Sequence, residues 1–474
     1  MFNHKKNNER IAKPKKKFFE SKAKYQKRLD EYNAQINSVS APKQKRKRTF
    51  TQKIFLTVKV FASILIVFAI AFGALTIATG VSVSSTIKVA KTFDTVTYES
   101  QLTPIKQDGH WTFTTDNDFK ILQLTDLHIG GGFLSKQQDK MAINAISAMI
   151  TYNKPDLVII TGDMVFPVPY ISGSFNNKLC ADILTELMRK LGVYYTVSLG
   201  NHDAEAYNYY SREQVGNYYQ KIADTAGSYC LFDKDSAEID GQGNQLINIK
   251  NSLGLITQSL FIFDSQSYTD GDWLGLDWKY DNIHENQLTW YTNTLASLNQ
   301  YNTKIVDNLG EQYNEFRQVK SLAFWHIPLQ ETADAYKEYV ENGRQDTANV
   351  KFHFGYAGEA IANATADAVV CYPPLYPDQV FETILSLGST KGIFYGHDHL
   401  NNFSLTYKGI MLTYGMSIDY LAYKGIDKFG AQRGCNIIIS SPNSSFTVQQ
   451  SNYYQDIYQP KYPKETVSMD SYYK

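Results

Sequence analysis

Several short apolar runs in this chain end alike, and the shared ending limits the fold more than any other feature. Lys120-Ile-Leu-Gln-Leu-Thr-Asp126 leads into Leu127-His128 and then Gly130-Gly-Gly132. Asp156-Leu-Val-Ile-Ile-Thr-Gly162 ends on Asp163, and Tyr194-Tyr-Thr-Val-Ser-Leu-Gly200 ends on Asn201-His202-Asp203. Ile393-Phe-Tyr-Gly396 ends on His397-Asp-His399, and Ser321-Leu-Ala-Phe-Trp-His326-Ile-Pro328 ends on a lone imidazole before proline. Runs of this length and composition read as buried strands. Asp126 and His128, two apart, would share a face of a continuing strand. Five of the nine histidines (128, 202, 326, 397 and 399) stand at these ends beside glycine, proline or carboxylate. Histidines that merely pack a core have no reason to gather there.

Between the strands the period changes to that of a helix. Ala142, Ala145, Ile146 and Met149 recur at helical spacing within 138–153, where Asn153-Lys-Pro155 stops the pattern. A second helix is predicted over 179–191, ended by Gly192. Strand, helix, strand, helix, strand predicts parallel strands joined by right-handed crossovers. In such sheets the ligand site collects at the C-terminal strand ends, where all these side chains fall. Residues 204–239 are tyrosine-rich, and a packed cap or a substrate wall reads equally well. Gln258 to Asp264 opens a second strand series, followed by a helix over about 285–299. Residues 329–375 lack periodicity, and 376–387 is helical. Gly409–Tyr414, Cys435–Ser440 and Ser445–Gln449 are expected to close a second sheet, and the tail from Pro460 to be loose. No internal repeat is present.

The first 48 residues hold sixteen Lys or Arg against four acidic residues, which predicts a disordered basic segment. Val60 to Ile87 then carries no charge. As a helix it would span roughly 42 Å, against about 30 Å of bilayer hydrocarbon. The chain offers no second helix of this kind to pack it. A transmembrane signal-anchor is therefore expected, with Lys43–Arg48, Lys53 and Lys59 on the cytoplasmic side. The long preceding segment argues against a cleaved signal peptide. The expected organisation is a cytoplasmic tail over 1–59, the anchor over 60–87, a lead-in over 88–119, the domain over 120–455 and a polar tail over 456–474. With a net charge of zero overall, the part beyond residue 48 carries −12. A negative outer part does not suggest a nucleic-acid binder, since phosphate backbones need a positive footprint, and no nucleic-acid partner is expected. The four cysteines (180, 230, 371 and 435) lack metal-ligand spacing, and up to two disulfides among them are permitted. The outer part is long enough to fold as one domain, and nothing compels a dimer.

Carboxylate, carboxamide and imidazole donors suit zinc, manganese or iron without choosing among them. Their number implies two metals sharing a carboxylate, an arrangement suited to phosphoryl transfer. In this order, Asp-x-His, Gly-Asp, Gly-Asn-His-Asp, a lone His and Gly-His-x-His resemble the calcineurin-like metallophosphoesterases. Phe324-Trp-His-Ile-Pro-Leu329 and Gly396-His-Asp-His-Leu-Asn401 resemble the plant-type and yeast phosphatases related to purple acid phosphatases. The resemblance implies a four-layer α/β/β/α sandwich with the site between two sheets. It implies Asp126, His128 and His399 on one metal, Asn201, His326 and His397 on the other, and Asp163 bridging. It further implies a metal-bridging hydroxide as nucleophile, and His202 beside the phosphate as the catalytic group that stabilises charge and protonates the leaving oxygen.

One position departs from true purple acid phosphatases. Their tyrosine three residues after the Gly-Asp aspartate is here Phe166, which has no oxygen to ligate iron. The purple colour and an obligatory ferric ion are not expected. The expected function is two-metal hydrolysis of phosphoesters, monoesters first, with diesters including cyclic nucleotides as the alternative. A silent metal-stabilised binding protein is the competing class, and the presence of His202 argues against it. Gly130–Gly132 reads as a tight turn beside the ligands or as an anion cradle, and it is no Walker motif.

Overall fold

The computed structural model describes residues 13–40, 49–234, 238–269, 279–362, 369–423, 426 and 433–467. The basic run 43–48 lies outside the described residues. The chain divides into two compact units, Met1–Ala71 and Phe72–Lys474. Lys22–Ser40 forms α1, so this part of the basic segment is helical where disorder was expected. Its Lys, Gln, Leu, Ala and Arg content favours helix, and Arg28 pairs with Glu20 at 2.8 Å beside it. α2 runs from Phe50 to Ala90, longer at both ends than the predicted anchor. Its last third presents a buried stripe of Thr79, Ser82, Val83, Thr86 and Ala90, at the spacing of one helix face.

The larger unit then runs through β1 (Ile105–Gln107), β2 (His110–Thr114), β3 (Phe119–Leu124), α3 (Lys136–Asn153), β4 (Leu157–Thr161), α4 (Asn177–Leu191) and β5 (Tyr195–Ser198). α5 (Arg212–Ala223), β6 (Gln245–Lys250), β7 (Ile256–Ile262), α6 (Glu285–Leu309), β8 (Ser321–Phe324), α7 (Gln330–Glu341) and β9 (Val350–Phe354) follow. α8 (Gly358–Ala362), α9 (Val380–Leu387), β10 (Thr390–Tyr395), β11 (Ser404–Tyr407), β12 (Ile410–Tyr414), β13 (Gly434–Ser440) and β14 (Phe446–Asn452) complete it. α4 shows why the helices form where they do. Asn176 caps its start by accepting from the Leu179 N–H, and Gly192 ends it at φ 70°. Cys180, Ile183, Leu184, Leu187, Met188 and Leu191 supply one fully apolar face.

The strands make a mixed α/β architecture of two sheets, β14-β13-β3-β4-β5 and β1-β2-β6-β7-β8-β10-β12-β11-β9. β3, β4 and β5 are mutually parallel, as are β7, β8, β10 and β12. Three cores hold this together. Phe119, Ile121, Leu157 and Ile159 of the smaller sheet meet Ile247, Leu260, Leu322 and Phe394 of the larger. The other face of the smaller sheet packs on α3 and α4 through Ile143, Ile146, Leu184 and Leu187. The outer face of the larger sheet packs on α6 and α9 through Tyr291, Leu295, Phe381 and Ile384.

Three expectations need correction. β13 and β14 do not join the second strand series; β13 pairs antiparallel with β3 and extends the first sheet. Sheet membership is a long-range choice that local pattern does not carry. α6 continues ten residues past the predicted end, because Asn302 is buried and ties Ile256 and Phe316 into one network. The tail is packed through Val467: Tyr458 is 1% exposed and Tyr462 stacks edge-on against Phe93 at 5.8 Å. All four cysteines are buried and unpaired. A chain ending at residue 455, or Tyr458→Ala in the full chain, is expected to lose about 3–5 kcal/mol of stability. The midpoint of denaturant unfolding checks this, and an unchanged midpoint would return the tail to a passive role.

Candidate metal centre

The parallel strands of both sheets point their C-terminal ends at one place, and each hands over its polar residue just after the strand stops. β3 ends at Leu124, so Asp126 and His128 lie in the following loop rather than on a continuing strand. Asp126, His128, Asp163 and His397 all adopt left-handed backbone, at φ 50°, 46°, 49° and 77°. Non-glycine residues are rarely held there, and such strain gathers at functional sites. Neighbouring glycines permit the approach. A Cβ on Gly200 would lie 2.1 Å from Asp163 Oδ1. Gly162, at φ 86°, leaves room for the His326 ring, which a Cβ would meet at 2.4 Å.

Two clusters of donors result. Asp126, His128, Asp163 and His399 bring ligand atoms within 4.8 Å of one another, and so do Asp163, His326 and His397. Asp163 belongs to both: its Oδ2 lies 3.3 Å from His128 Nε2 and 3.1 Å from His326 Nε2. Asn201 Oδ1 joins the second cluster, 3.2 Å from His326 Nε2 and 3.0 Å from His397 Nδ1. His399 Nε2 lies 3.5 Å from Asp126 Oδ1. All seven candidate ligands are therefore brought together, and His202 stands beside them. Its backbone N–H donates to Asp163 Oδ1 at 2.8 Å, and its ring packs edge-on against Phe166 at 4.8 Å.

The surrounding groups orient these donors. His326 Nδ1 bonds the Thr161 carbonyl at 2.8 Å, which turns Nε2 toward the cluster. Asn201 Nδ2 donates to the Tyr268 hydroxyl at 3.1 Å, which turns its Oδ1 inward. The Tyr268 hydroxyl donates to Glu205 Oε1 at 2.9 Å, and the same oxygen meets His202 Nδ1 at 2.7 Å. Arg212, paired with Asp264, donates to the Gly200 carbonyl at 2.8 Å and the Leu199 carbonyl at 3.1 Å. Asp419 was missed in the sequence. Its two oxygens lie 3.3 Å from His128 Nδ1 and 3.6 Å from His399 Nδ1, so one buried carboxylate faces the outer nitrogens of both first-cluster imidazoles. The available signal was weak, a carboxylate four residues after the Gly415 that ends the β12 run. Glu205 was hidden in the tyrosine-rich stretch.

The electrostatics test whether cations fit. Burial opposes ionisation of Asp163, yet His326, His202 and His128 hold its carboxyl well below the usual range. Burial lowers His326 but Asp163 outweighs it and raises this imidazole to about 9. Burial and the His326 charge together push His397 well below its ordinary value. Asp419 is raised by burial and then held below the carboxylate range by His128. Asn201 Oδ1, His326 Nε2 and His397 Nδ1 thus converge within 3.3 Å beside the Asp163 carboxylate. Hard oxygen and imidazole donors crowded together in this way fit divalent cations.

The family model for calcineurin-like phosphoesterases matches residues 119–401, more than half the chain and all seven donors. The chain belongs to this family. Among curated proteins it is similar to the probable inactive purple acid phosphatase 14 of Arabidopsis thaliana, 28% identical over 66% of this chain and 73% of that one. The probable inactive purple acid phosphatase 29 of the same plant is 27% identical over 70% of this chain and 79% of its own length. Phosphatase DCR2 of Saccharomyces cerevisiae is 25% identical over 64% of this chain and 48% of that protein. This calcineurin-like chain has two intact metal-binding clusters, which support an active metal-dependent phosphoesterase with a binuclear centre. Asp419→Asn is expected to weaken metal binding about 10–100-fold, the usual effect of losing a carboxylate behind ligating histidines. Metal titration by calorimetry reads it, and unchanged affinity would remove Asp419 from the centre.

Proposed function

We propose that the protein is a membrane-anchored phosphoesterase that hydrolyses phosphomonoesters outside the cytoplasm. In this reading Asp126, His128 and His399 hold one cation, Asn201, His326 and His397 the second, and Asp163 both. The observation that carries it is the single Asp163 oxygen placed between an imidazole from each sheet. Zinc, manganese and iron all suit the donors. Bound there, two such cations would supply Lewis acidity toward phosphoryl oxygens and a nucleophilic water at neutral pH.

The protein's own residues do the rest. Glu205 holds the Nδ1 edge of His202 and so fixes the opposite edge, Nε2, for a proton passing to the leaving oxygen. Tyr268 ties that Glu205 to Asn201, so proton donor and ligand move as one unit. The Phe166 ring, packed on both His128 and His202, keeps water from the inner face. The three cores described above support the four-layer α/β/β/α arrangement. α2 is long and apolar enough to cross a membrane, and the basic residues before it support a cytoplasmic N-terminus.

His202→Ala is expected to retain both metals and lose about 10²–10⁴ in rate on a phenyl phosphate monoester. Metal content and turnover are read on the same sample. Turnover on diesters alone would keep the site and change the substrate class. Full occupancy without turnover on any phosphoester would leave a metal-stabilised binding protein.

A further inference from the structure

α2 does more than lead to the domain. Its Ser82 hydroxyl donates to the Gly132 carbonyl at 2.6 Å, and its Thr79 hydroxyl to the Gly173 carbonyl at 3.3 Å. Phe72 stacks on Phe175 with ring centroids 5.2 Å apart. The helix thus grips two loops, the one carrying His128 and the one carrying Asp163. Counting from Lys59, about 20 helical residues fill the hydrocarbon, which puts the outer boundary near Thr79. Thr79 is the first residue of the helix to be buried in the protein, at 3% exposure. Phe72, seven residues earlier, lies about 10 Å further along the axis toward the bilayer centre. A loop that stacks on Phe72 therefore has to reach below the level at which the helix leaves the lipid.

The side chains that accompany this contact are those an interface would take. Tyr170 is 83% exposed and Phe133 is 52% exposed, and Leu134, Tyr207 and Tyr209 are exposed as well. They are continuous with the gripped loops: the Leu134 N–H donates to the Ser172 carbonyl, and the Tyr209 N–H to the Phe175 carbonyl, both at 3.0 Å. Tyrosine on loop tips beside a spanning helix suits the headgroup layer, where its amphipathic ring has one apolar body and one wet end, and exposed phenylalanine and leucine suit the hydrocarbon just beneath. The same loops lead inward to the chemistry. Tyr207 lies two residues from Glu205, which holds His202, and Phe166 packs against His202 on the way to Val168 and Ile171.

We infer that Phe133, Leu134, Tyr170, Tyr207 and Tyr209 seat the rim of the site in the outer leaflet, and that the substrate is a phosphomonoester borne by a membrane lipid. This inference rests on the phosphoesterase and membrane-anchor readings given above. A lipid headgroup phosphate stands at the level where the rim rests, so it reaches the site by lateral diffusion. A soluble ester has to enter beneath the same rim.

The full chain is reconstituted into phosphatidylcholine vesicles, with the domain outward. Because all four native cysteines are buried, Tyr170→Cys and Asn443→Cys accept a nitroxide label selectively. Asn443 is exposed on the hairpin between β13 and β14, at the opposite end of the sheet. The label at 170 is expected to collide with oxygen dissolved in the lipid and to be shielded from an aqueous nickel chelate, and the label at 443 to do the reverse. Equal access of the chelate to both sites overturns the membrane-seated rim, whatever the activity. In the second arm, Tyr170→Asp with Phe133→Asp is expected to slow hydrolysis of vesicle-borne phosphatidic acid at least tenfold and leave phenyl phosphate turnover unchanged. Equal loss on both esters, or none on either, overturns the lipid-substrate assignment. Absence of turnover on every ester by the unaltered chain would instead sink the hydrolase reading, and the label would still decide the rim.

Discussion

One oxygen of Asp163 sets the architecture of the site. It lies between an imidazole carried by the five-stranded sheet and an imidazole carried by the nine-stranded sheet, while the other oxygen accepts the His202 N–H. A buried carboxylate in that position is tolerable only because positive or donating groups surround it on three sides. Both sheets must therefore end at the same height, in the same register, with their loops turned inward. The left-handed backbone at Asp126, His128, Asp163 and His397 is the local cost of that turn. The inter-sheet core around Phe119, Leu260 and Phe394 holds the two sheets at the spacing that makes the meeting possible.

Around this centre the fold supplies a series of braces, each a charged group, a peptide carbonyl or a hydroxyl that fixes a donor or its loop from behind. Thr161 fixes His326, Tyr268 fixes Asn201, and the Arg212–Asp264 pair fixes the Gly200 carbonyl. Asp419 stands behind both imidazoles of the first cluster. Asp264 follows β7 and Asp419 follows β12, so strands without candidate ligands still deliver carboxylates to the same end of the sheet. The division of labour follows strand order rather than residue type.

The sequence made the strand ends legible because they combine two local signals, an apolar run and an abrupt polar or glycine residue. That was enough to place Asp126, His128, Asp163, Asn201, His326, His397 and His399 at a common level. It was not enough for Asp419, which trails its strand by four residues inside Gly415-Met-Ser-Ile-Asp, nor for Glu205, which lies among tyrosines. The sheet to which β13 and β14 belong was also illegible. Apolar alternation says which face of a strand is buried, but the neighbour it pairs with is decided by chain closure over three hundred residues. The helix at Lys22–Ser40 was obscured by composition, since lysine-rich segments read as disordered although lysine itself is a good helix former. The packed tail escaped for a simpler reason: Tyr458 and Tyr462 are single anchors in a polar stretch, with no period to announce them.

The cysteines carry a consequence of a different kind. All four are buried and unpaired, and burial pushes the Cys230 thiol up to about 11 and the Cys435 thiol up to about 12. Thiolates are what oxidants and exchange catalysts attack, and here almost none forms at neutral pH. The domain's cohesion therefore owes nothing to the redox potential of the compartment in which it matures. It can be made in a reducing cell and moved to an oxidising one, or refolded without thiol shuffling, and remain the same molecule.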